Sequence, residues 1–264
     1  ARSLTEGLIM TLDQPYPVAV ARLSQSIGAD PAQTDVAPDT PAALVTLAAL
    51  HGGDPVRARS VIGRAVSQLP TSDQPDLADA IFVTHRHRLL LGWAHMQDGQ
   101  LQAAAAAVPA AGNATLHRRD ALWAAALQTA IARRSGDSGA MQKHWYSAME
   151  VLAEYSADLF ALLPLGELWV AAARMRQVDQ LQHTLDEAFG LLAALGDPLL
   201  WSVPLHWAGV HAGILANSPD AVAPHGQALT AAAPHSLFAK ALATAGRTWL
   251  RVLANHVDVD EVTA

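Results

Sequence analysis

The stretch that decides the fold is "THRHRLLLGWAHMQDGQLQAAA", which runs from residue 84 to residue 105. An apolar-periodic run through Leu89 and Trp93 stops at Gly99, and a block of alanines follows. Leucine, alanine, glutamine and arginine favour helix, whereas a glycine after a periodic run marks a helix end. The stretch therefore predicts two helices joined by a tight turn.

Breaks of this kind recur along the chain. They lie at Gly52-Gly53-Asp54-Pro55, Gly99, Gly136-Asp137, Val178-Asp179, Ser218-Pro219-Asp220 and Asn255. Their spacing of about 36 to 46 residues is close to the periods of helical repeat families, and strand signals are nearly absent. Leu91, Gly92, Gly99 and Ala104 also have the relative spacing of the Leu-Gly, turn and small-residue positions of a tetratricopeptide repeat. We predict an all-α fold, a superhelical array of helical hairpins of the TPR-like α-solenoid type.

The expected organisation is a single helical-repeat domain over residues 1–264. Residues 1–40 hold a partial leading pair of helices, near 4–12 and 16–28, and a polar connector over 29–40. About five and a half helix pairs occupy 41–254, and 255–264 form a truncated tail. The expected helices lie near 41–52, 55–69, 75–97, 100–109, 115–135, 138–154, 160–177, 180–195, 199–216, 219–232 and 235–254. The missing initiator methionine favours a segment of a larger protein.

Composition excludes several classes of function. The chain has 264 residues, no cysteine and a net charge of −7. Without cysteine there are no disulfides, zinc ribbons or thiol nucleophiles. The acidic balance disfavours direct binding to nucleic acid or to anionic membranes. The sequence has neither a signal-peptide pattern nor a long apolar run, so we expect a cytoplasmic protein.

The histidines do not form a recognisable metal motif. On a helix His85 and His87 point to nearly opposite sides, and the spacing of His206 and His211 fails in the same way. A helical zinc site needs histidines at i and i+4 with a carboxylate nearby, and the HExxH motif is not in the sequence. We expect neither a metal nor another cofactor.

Catalytic motifs are also missing from the sequence. It has no G-x-S-x-G elbow and no phosphate-binding glycine loop of either common type. A hydrolase would need two essential carboxylates, for which Asp120 and Glu167 are nominal candidates. The sequence therefore favours a protein that is not an enzyme.

Tryptophan and arginine supply the candidate binding residues. Seven Trp occur against four Phe and three Tyr, and several Trp share a helix face with an arginine. If the first helix of each hairpin lines a concave surface, these faces converge on one groove. The expected ligand-binding residues are Phe82, Arg86, Trp93, Arg119, Trp123, Arg133, Trp169, Arg176, Trp207 and His211. The competing interpretation is that the tryptophans pack between helices and the arginines are solvated flanks.

A groove of aromatic rings and arginines suits a sugar. The C–H faces of a sugar ring pack on indole, and its hydroxyls bond to charged side chains. The chemistry of these residue types therefore favours a small carbohydrate ligand.

Three segments carry a family resemblance. They are "HRLLLGWAHMQDGQLQAAAAAV" (87–108), "ELWVAAARMRQVDQLQHTLDEAFGLLAALGDP" (167–198) and "LLWSVPLHWAGVHAGILANSPDAVAPHGQAL" (199–229). They resemble the tetratricopeptide-type sensor region of MalT-like transcriptional regulators of the LuxR superfamily, which belong to the ATP-binding STAND class. Such regulators combine an ATP-binding switch, a helical sensor and a DNA-binding helix-turn-helix.

The resemblance implies a function in inducer sensing. A disaccharide or trisaccharide, such as trehalose or maltose, would bind in the groove, favour one curvature of the array and so control the parent protein through its flanking domains. The same groove would also suit a TPR-like scaffold that binds a peptide or a regulatory protein. A hydrolase and a bare structural spacer stay open as less favoured hypotheses.

Overall fold

The computed structural model describes residues 2–27, 39–69, 80–108, 116–154 and 156–253. Within these ranges every regular element is helical, which confirms the all-α prediction. The α-helices are α1 (Arg2–Asp13), α2 (Tyr16–Ser24), α3 (Pro41–His51), α4 (Pro55–Ser67), α5 (Ala80–Gln97), α6 (Leu101–Ala107), α7 (Arg118–Ser135), α8 (Ser138–Leu152), α9 (Leu162–Met175), α10 (Gln182–Ala194), α11 (Leu199–Leu215), α12 (Pro219–Ala232) and α13 (Leu237–Leu253). Short 3₁₀ turns at Leu159–Ala161 and Val178–Leu181 lead into α9 and α10.

These bounds follow the sequence-based expectation closely. Each expected helix is present, and most ends agree to within a few residues. The connector over 29–38, the expected start of a helix at 75–79 and the tail over 255–264 lie outside the described residues.

Local capping explains why the helices begin and end where they do. The Asp54 carboxylate accepts from the Arg57 amide (3.0 Å) and Pro55 follows it, as the sequence predicts. The Asp137 side chain caps α8 in the same way. Gly136 ends α7 in the left-handed region, at φ 77°, where a side chain would be strained.

The helices pack in series, and the two ends of the series also meet. Neighbouring pairs such as α3/α4, α7/α8 and α11/α12 form hairpins, while α3, α5, α7, α9 and α11 pack one after another. Besides its neighbours, α11 contacts α1 and α3. In an open array each repeat touches only the next. The contacts of α11 with α1 and α3 therefore bring the beginning of the chain against its later part.

Helix α3 lies at the centre of the molecule. Its residues from Ala43 to His51 are all buried, and the helix packs against α2, α4, α5 and α11. A helix that is apolar on all sides is a core helix. Most buried side chains form one cluster from Val20 to Ala212, and a second, smaller cluster joins α11, α12 and α13.

Small residues set the closest helix contacts. A Cβ on Gly92 would lie 2.8 Å from the Leu127 side chain and 3.2 Å from the Ala104 carbonyl oxygen. The Leu-Gly position of the repeat pattern therefore lets α5 approach α6 and α7. Among the helices described, none is long and apolar enough to span a membrane.

Candidate functional site

Three of the predicted binding residues, the tryptophans of α5, α7 and α9, lie in the core. Trp93, Trp123 and Trp169 are 0%, 2% and 9% exposed. The Trp93 indole N–H donates to the Trp123 carbonyl (3.2 Å), and that of Trp123 donates to the carbonyl of Phe160 (2.9 Å). The shared face that the spacing predicts is the face on which successive helices pack. Ligand binding by these indoles stays a prediction, and it would require the helices to separate.

Two predicted arginines meet in a network of charges. Arg86, 3% exposed, pairs with the fully buried Asp120 and with Asp39, the residue that precedes the N-cap of α3. Arg119 contacts the same Asp39 carboxylate (3.0 Å) and Asp158 (3.4 Å). The network therefore ties the start of α3 to α5, α7 and the turn before α9. Each charge in it faces an opposite one, as buried ions require.

Aromatic and histidine contacts surround this network. The Arg119 guanidinium lies 4.1 Å from the centre of the Phe160 ring, and His87 shares a 2.7 Å hydrogen bond with the Thr40 hydroxyl. Burial lowers the pKa of His87 to about 4 and also lowers the pKa of His85. These histidines are neutral near pH 7, and the described part of the chain contains no group of three residues able to hold a metal ion. Phe82, on the same helix, is half-buried.

Three other predicted residues meet near the end of α7. Glu167 accepts from Arg133 and Arg134 (2.7 Å each). Burial opposes ionisation of Glu167, but the two guanidinium groups outweigh it and hold its pKa at about 2. Burial lowers the pKa of His211 to about 4, and the charges of Arg133, Glu167 and Arg134 also act on this ring. The Trp207 ring lies 4.4 Å from the His211 ring, so Arg133, Trp207 and His211 share one neighbourhood.

The remaining predicted residues do not share one site. Arg176 is exposed and ends α9 in the left-handed region, at φ 59°. The two nominal catalytic carboxylates, Asp120 and Glu167, belong to separate charge networks. Asp120 lies in the first turn of α7 and the arginine partners of Glu167 in its last, about 20 Å away at the rise of an α-helix. In this structure the two carboxylates do not form an acid–base pair.

A large cleft lies elsewhere, at four helix corners, and we call it the corner cleft. It has a volume of about 1010 Å³. Its lining comes from residues 11–17, 51–53, 195–200 with 203, and 235–238 with 241. These are the turns α1–α2, α3–α4, α10–α11 and α12–α13. No sequence pattern indicates this site, because each of its segments has only the signals of a turn and the segments are far apart in sequence.

Two lining residues, Thr11 and His51, form the floor of the corner cleft, and Trp201 packs behind them and joins α1, α3 and α11. The Trp201 ring packs 4.5 Å from the His51 ring, and its N–H donates to the Thr11 hydroxyl (3.2 Å). His51 donates from Nδ1 to the Leu47 carbonyl (2.9 Å), and burial lowers its pKa to about 4. The floor is therefore uncharged near pH 7.

The walls combine aromatic rings with polar side chains. Gly52 and Gly53 lie directly under the rings of Tyr16 and Phe238, so that a Cβ on either glycine would collide with the ring above it. Asp13, Gln14, Asp197, His235 and Ser236 supply the polar side chains. Asp197 has a positive φ of 54°, a conformation in which non-glycine residues are uncommon. Such a surface offers apolar faces beside hydrogen-bonding groups.

Comparison with known proteins identifies no relative. No protein-family model matches the chain, and neither a curated protein nor a solved structure matches it. The resemblance to MalT-like regulators therefore stays a prediction.

Proposed function

We propose that this chain is a ligand-sensing helical-repeat domain that binds a small sugar of the disaccharide or trisaccharide type. The observation that carries the proposal is the corner cleft, whose volume of about 1010 Å³ is at the upper end of the range for small-molecule sites. Clefts of this kind are mostly apolar, with a few polar groups that orient the ligand. The mixed lining of the corner cleft fits that description.

A sugar fits the lining better than a wholly apolar ligand does. The rings of Tyr16 and Phe238 provide surfaces for the C–H faces of a pyranose. Asp13, Asp197 and Ser236 provide hydrogen-bond acceptors for its hydroxyls. The sugar chemistry that the sequence suggests for Trp93, Trp123 and Trp169 is therefore proposed for the corner cleft instead.

The position of the corner cleft suggests how binding could be sensed. Its lining comes from the α1–α2 and α3–α4 turns and from the α10–α11 and α12–α13 turns, so one ligand would touch the early and the late parts of the chain. A ligand that binds one arrangement of these parts more tightly shifts the population toward it. In this proposal the TPR-like array changes curvature as α11 moves against α1 and α3.

The regulatory part of the proposal rests on the sequence resemblance. In this part of the proposal, sugar binding to this domain changes the activity of flanking ATP-binding and DNA-binding domains of a cytoplasmic transcriptional regulator. The acidic charge of −7 agrees with a domain that does not bind DNA itself.

A binding screen with a blocked variant tests the proposal. We expect one or more neutral disaccharides or trisaccharides to raise the melting temperature of the chain, because a ligand that binds only the folded state stabilises it by mass action. Ala241→Trp, at an exposed α13 position that lines the corner cleft, should abolish the shift. Ala105→Trp, at an exposed position on α6 outside the cleft, should retain it.

The second candidate is a scaffold that binds a peptide or a protein. One observation favours it: α13 exposes Trp249, Leu250, Val252 and Leu253, which are 42–65% exposed. Exposed apolar patches of this kind mark interaction sites. No melting shift with any sugar, together with saturable binding of a peptide that Trp249→Ala abolishes, would replace the sensor proposal with this one. Turnover of a glycoside that Glu167→Gln abolishes would favour a hydrolase instead.

A further inference from the structure

The charges that line the corner cleft are unevenly distributed. Two carboxylates, those of Asp13 and Asp197, belong to the lining, while the described lining residues include neither lysine nor arginine. All 17 lysines and arginines of the sequence lie within the described ranges. No further Lys or Arg is therefore available from the rest of the sequence to line the cleft.

The cations near these corners do not offset the carboxylates. Arg57 is paired with Asp54, whose carboxylate also accepts from the Tyr16 hydroxyl (2.9 Å). Lys240 is exposed on α13 beside the lining residue Ala241, but it does not itself line the cleft. Neither a guanidinium fork nor an ammonium group reaches the cleft from the described residues.

Helix ends contribute a smaller, opposite field. The first residues of α2, α11 and α13 line the cleft, and a helix N-terminus carries roughly half a positive charge. Asp13 lies close before α2, and Asp197 lies close before α11. Neither α2 nor α11 has a side-chain cap, so these carboxylates do not occupy the helix ends, but their negative charges offset part of the positive field at two of the three ends.

From this distribution we infer that the corner cleft selects a neutral sugar and rejects its phosphorylated form. The inference rests on the proposed sugar-binding function and narrows its ligand class. A phosphate dianion entering the cleft would lose hydration without gaining a charge-assisted bond from Arg or Lys, and it would meet two carboxylates. At the dielectric of an open cleft this repulsion corresponds to about tenfold weaker binding or more.

Calorimetry with matched sugars tests the inference on the full chain. The probes are trehalose and trehalose 6-phosphate, with maltose and maltose 1-phosphate as the second pair. We expect the neutral sugar of a pair to bind at least about tenfold more tightly than its phosphate, and the ratio to shrink in high salt. Equal or tighter binding of the phosphates would overturn the selection while leaving sugar binding intact. If neither member of either pair binds and no other disaccharide or trisaccharide raises the melting temperature, the proposed function fails, and the inference fails with it.

Charge-neutral variants locate the effect. Asp13→Asn with Asp197→Asn keeps the size of both side chains and the tolerance of asparagine for positive φ. Because both carboxylates also accept from sugar hydroxyls, this double variant should bind the neutral sugar more weakly. The affinities for the neutral and the phosphorylated sugar should nevertheless come to within about threefold of each other. Asp186→Asn, which removes an exposed carboxylate on α10 outside the cleft, should leave the ratio unchanged. An unchanged ratio in the double variant would mean that these carboxylates do not select the ligand.

Discussion

Replacing Arg86 by methionine should be among the most destabilising single changes in the molecule. Arg86 is 3% exposed and pairs with Asp120, which is fully buried, and with Asp39. Methionine fills a similar volume but removes the positive charge. The Asp120 carboxylate would then be buried without an opposite charge beside it, while Asp39, which is 37% exposed, would keep its contact with Arg119.

The expected magnitude follows from the burial of Asp120. Breaking a buried ion pair on one side costs about 3–5 kcal/mol, because an uncompensated charge remains away from water. At about 2–4 °C per kcal/mol for a chain of this size class, the melting temperature should fall by roughly 6–20 °C. The double variant Arg86→Met with Asp120→Leu removes both charges, so it should be more stable than Arg86→Met alone.

Urea unfolding followed by circular dichroism measures these differences. Arg118→Met is the matched control, because Arg118 and its partner Glu154 are 66% and 68% exposed and such surface pairs contribute about 1 kcal/mol or less. If Arg86→Met loses no more stability than Arg118→Met, Asp120 does not carry a buried charge and the reasoning about this network is refuted.

Three further predictions concern the floor of the corner cleft and the helix contacts. Burial lowers the pKa of His51 to about 4, so the unfolded chain binds the proton more tightly than the folded chain, and stability is lost as pH falls from about 6.5 towards 4. His51→Leu should therefore reduce the loss of stability between about pH 7 and pH 5 by about 2 kcal/mol, measured by urea titration at each pH. Trp93→Ala should cost about 3–5 kcal/mol in the same assay, clearly more than Trp249→Ala, whose ring is 44% exposed. Equal losses would contradict the core position of the first ring. Gly53→Ala should lower the melting temperature more than Gly99→Ala, because both glycines have positive φ but only the first lies under an aromatic ring.

The sequence predicts the helices well because the signals that place them are local. Asp54 caps α4 and Gly136 ends α7 through contacts with neighbouring residues, which a single sequence displays. The spacing of Gly92 and Ala104 likewise predicts the close approach of α5 to the next helix. In each of these motifs the two interacting residues lie within about one helical turn or one hairpin of each other in sequence, so their contact can be predicted without long-range information.

The candidate site is harder to predict because its signals are not local. Periodicity places Trp93 and Arg86 on a common face, but it does not say whether that face meets solvent or another helix. The contact of Trp201 with Thr11 joins residues that are 190 positions apart in the sequence. The corner cleft forms where α11 packs against α1 and α3. None of these three helices carries a sequence motif that predicts the contact.

Hydrogen exchange of the full chain, with and without saturating trehalose or maltose, tests the central claim most directly. If a sugar bridges the corner cleft, exchange should slow together in residues 11–17, 195–203 and 235–241, and Ala241→Trp should remove the effect. Slowing confined to α5, α7 and α9 would instead place the ligand at Trp93, Trp123 and Trp169. That result, or no slowing with either sugar, would contradict the corner cleft as the sensing site.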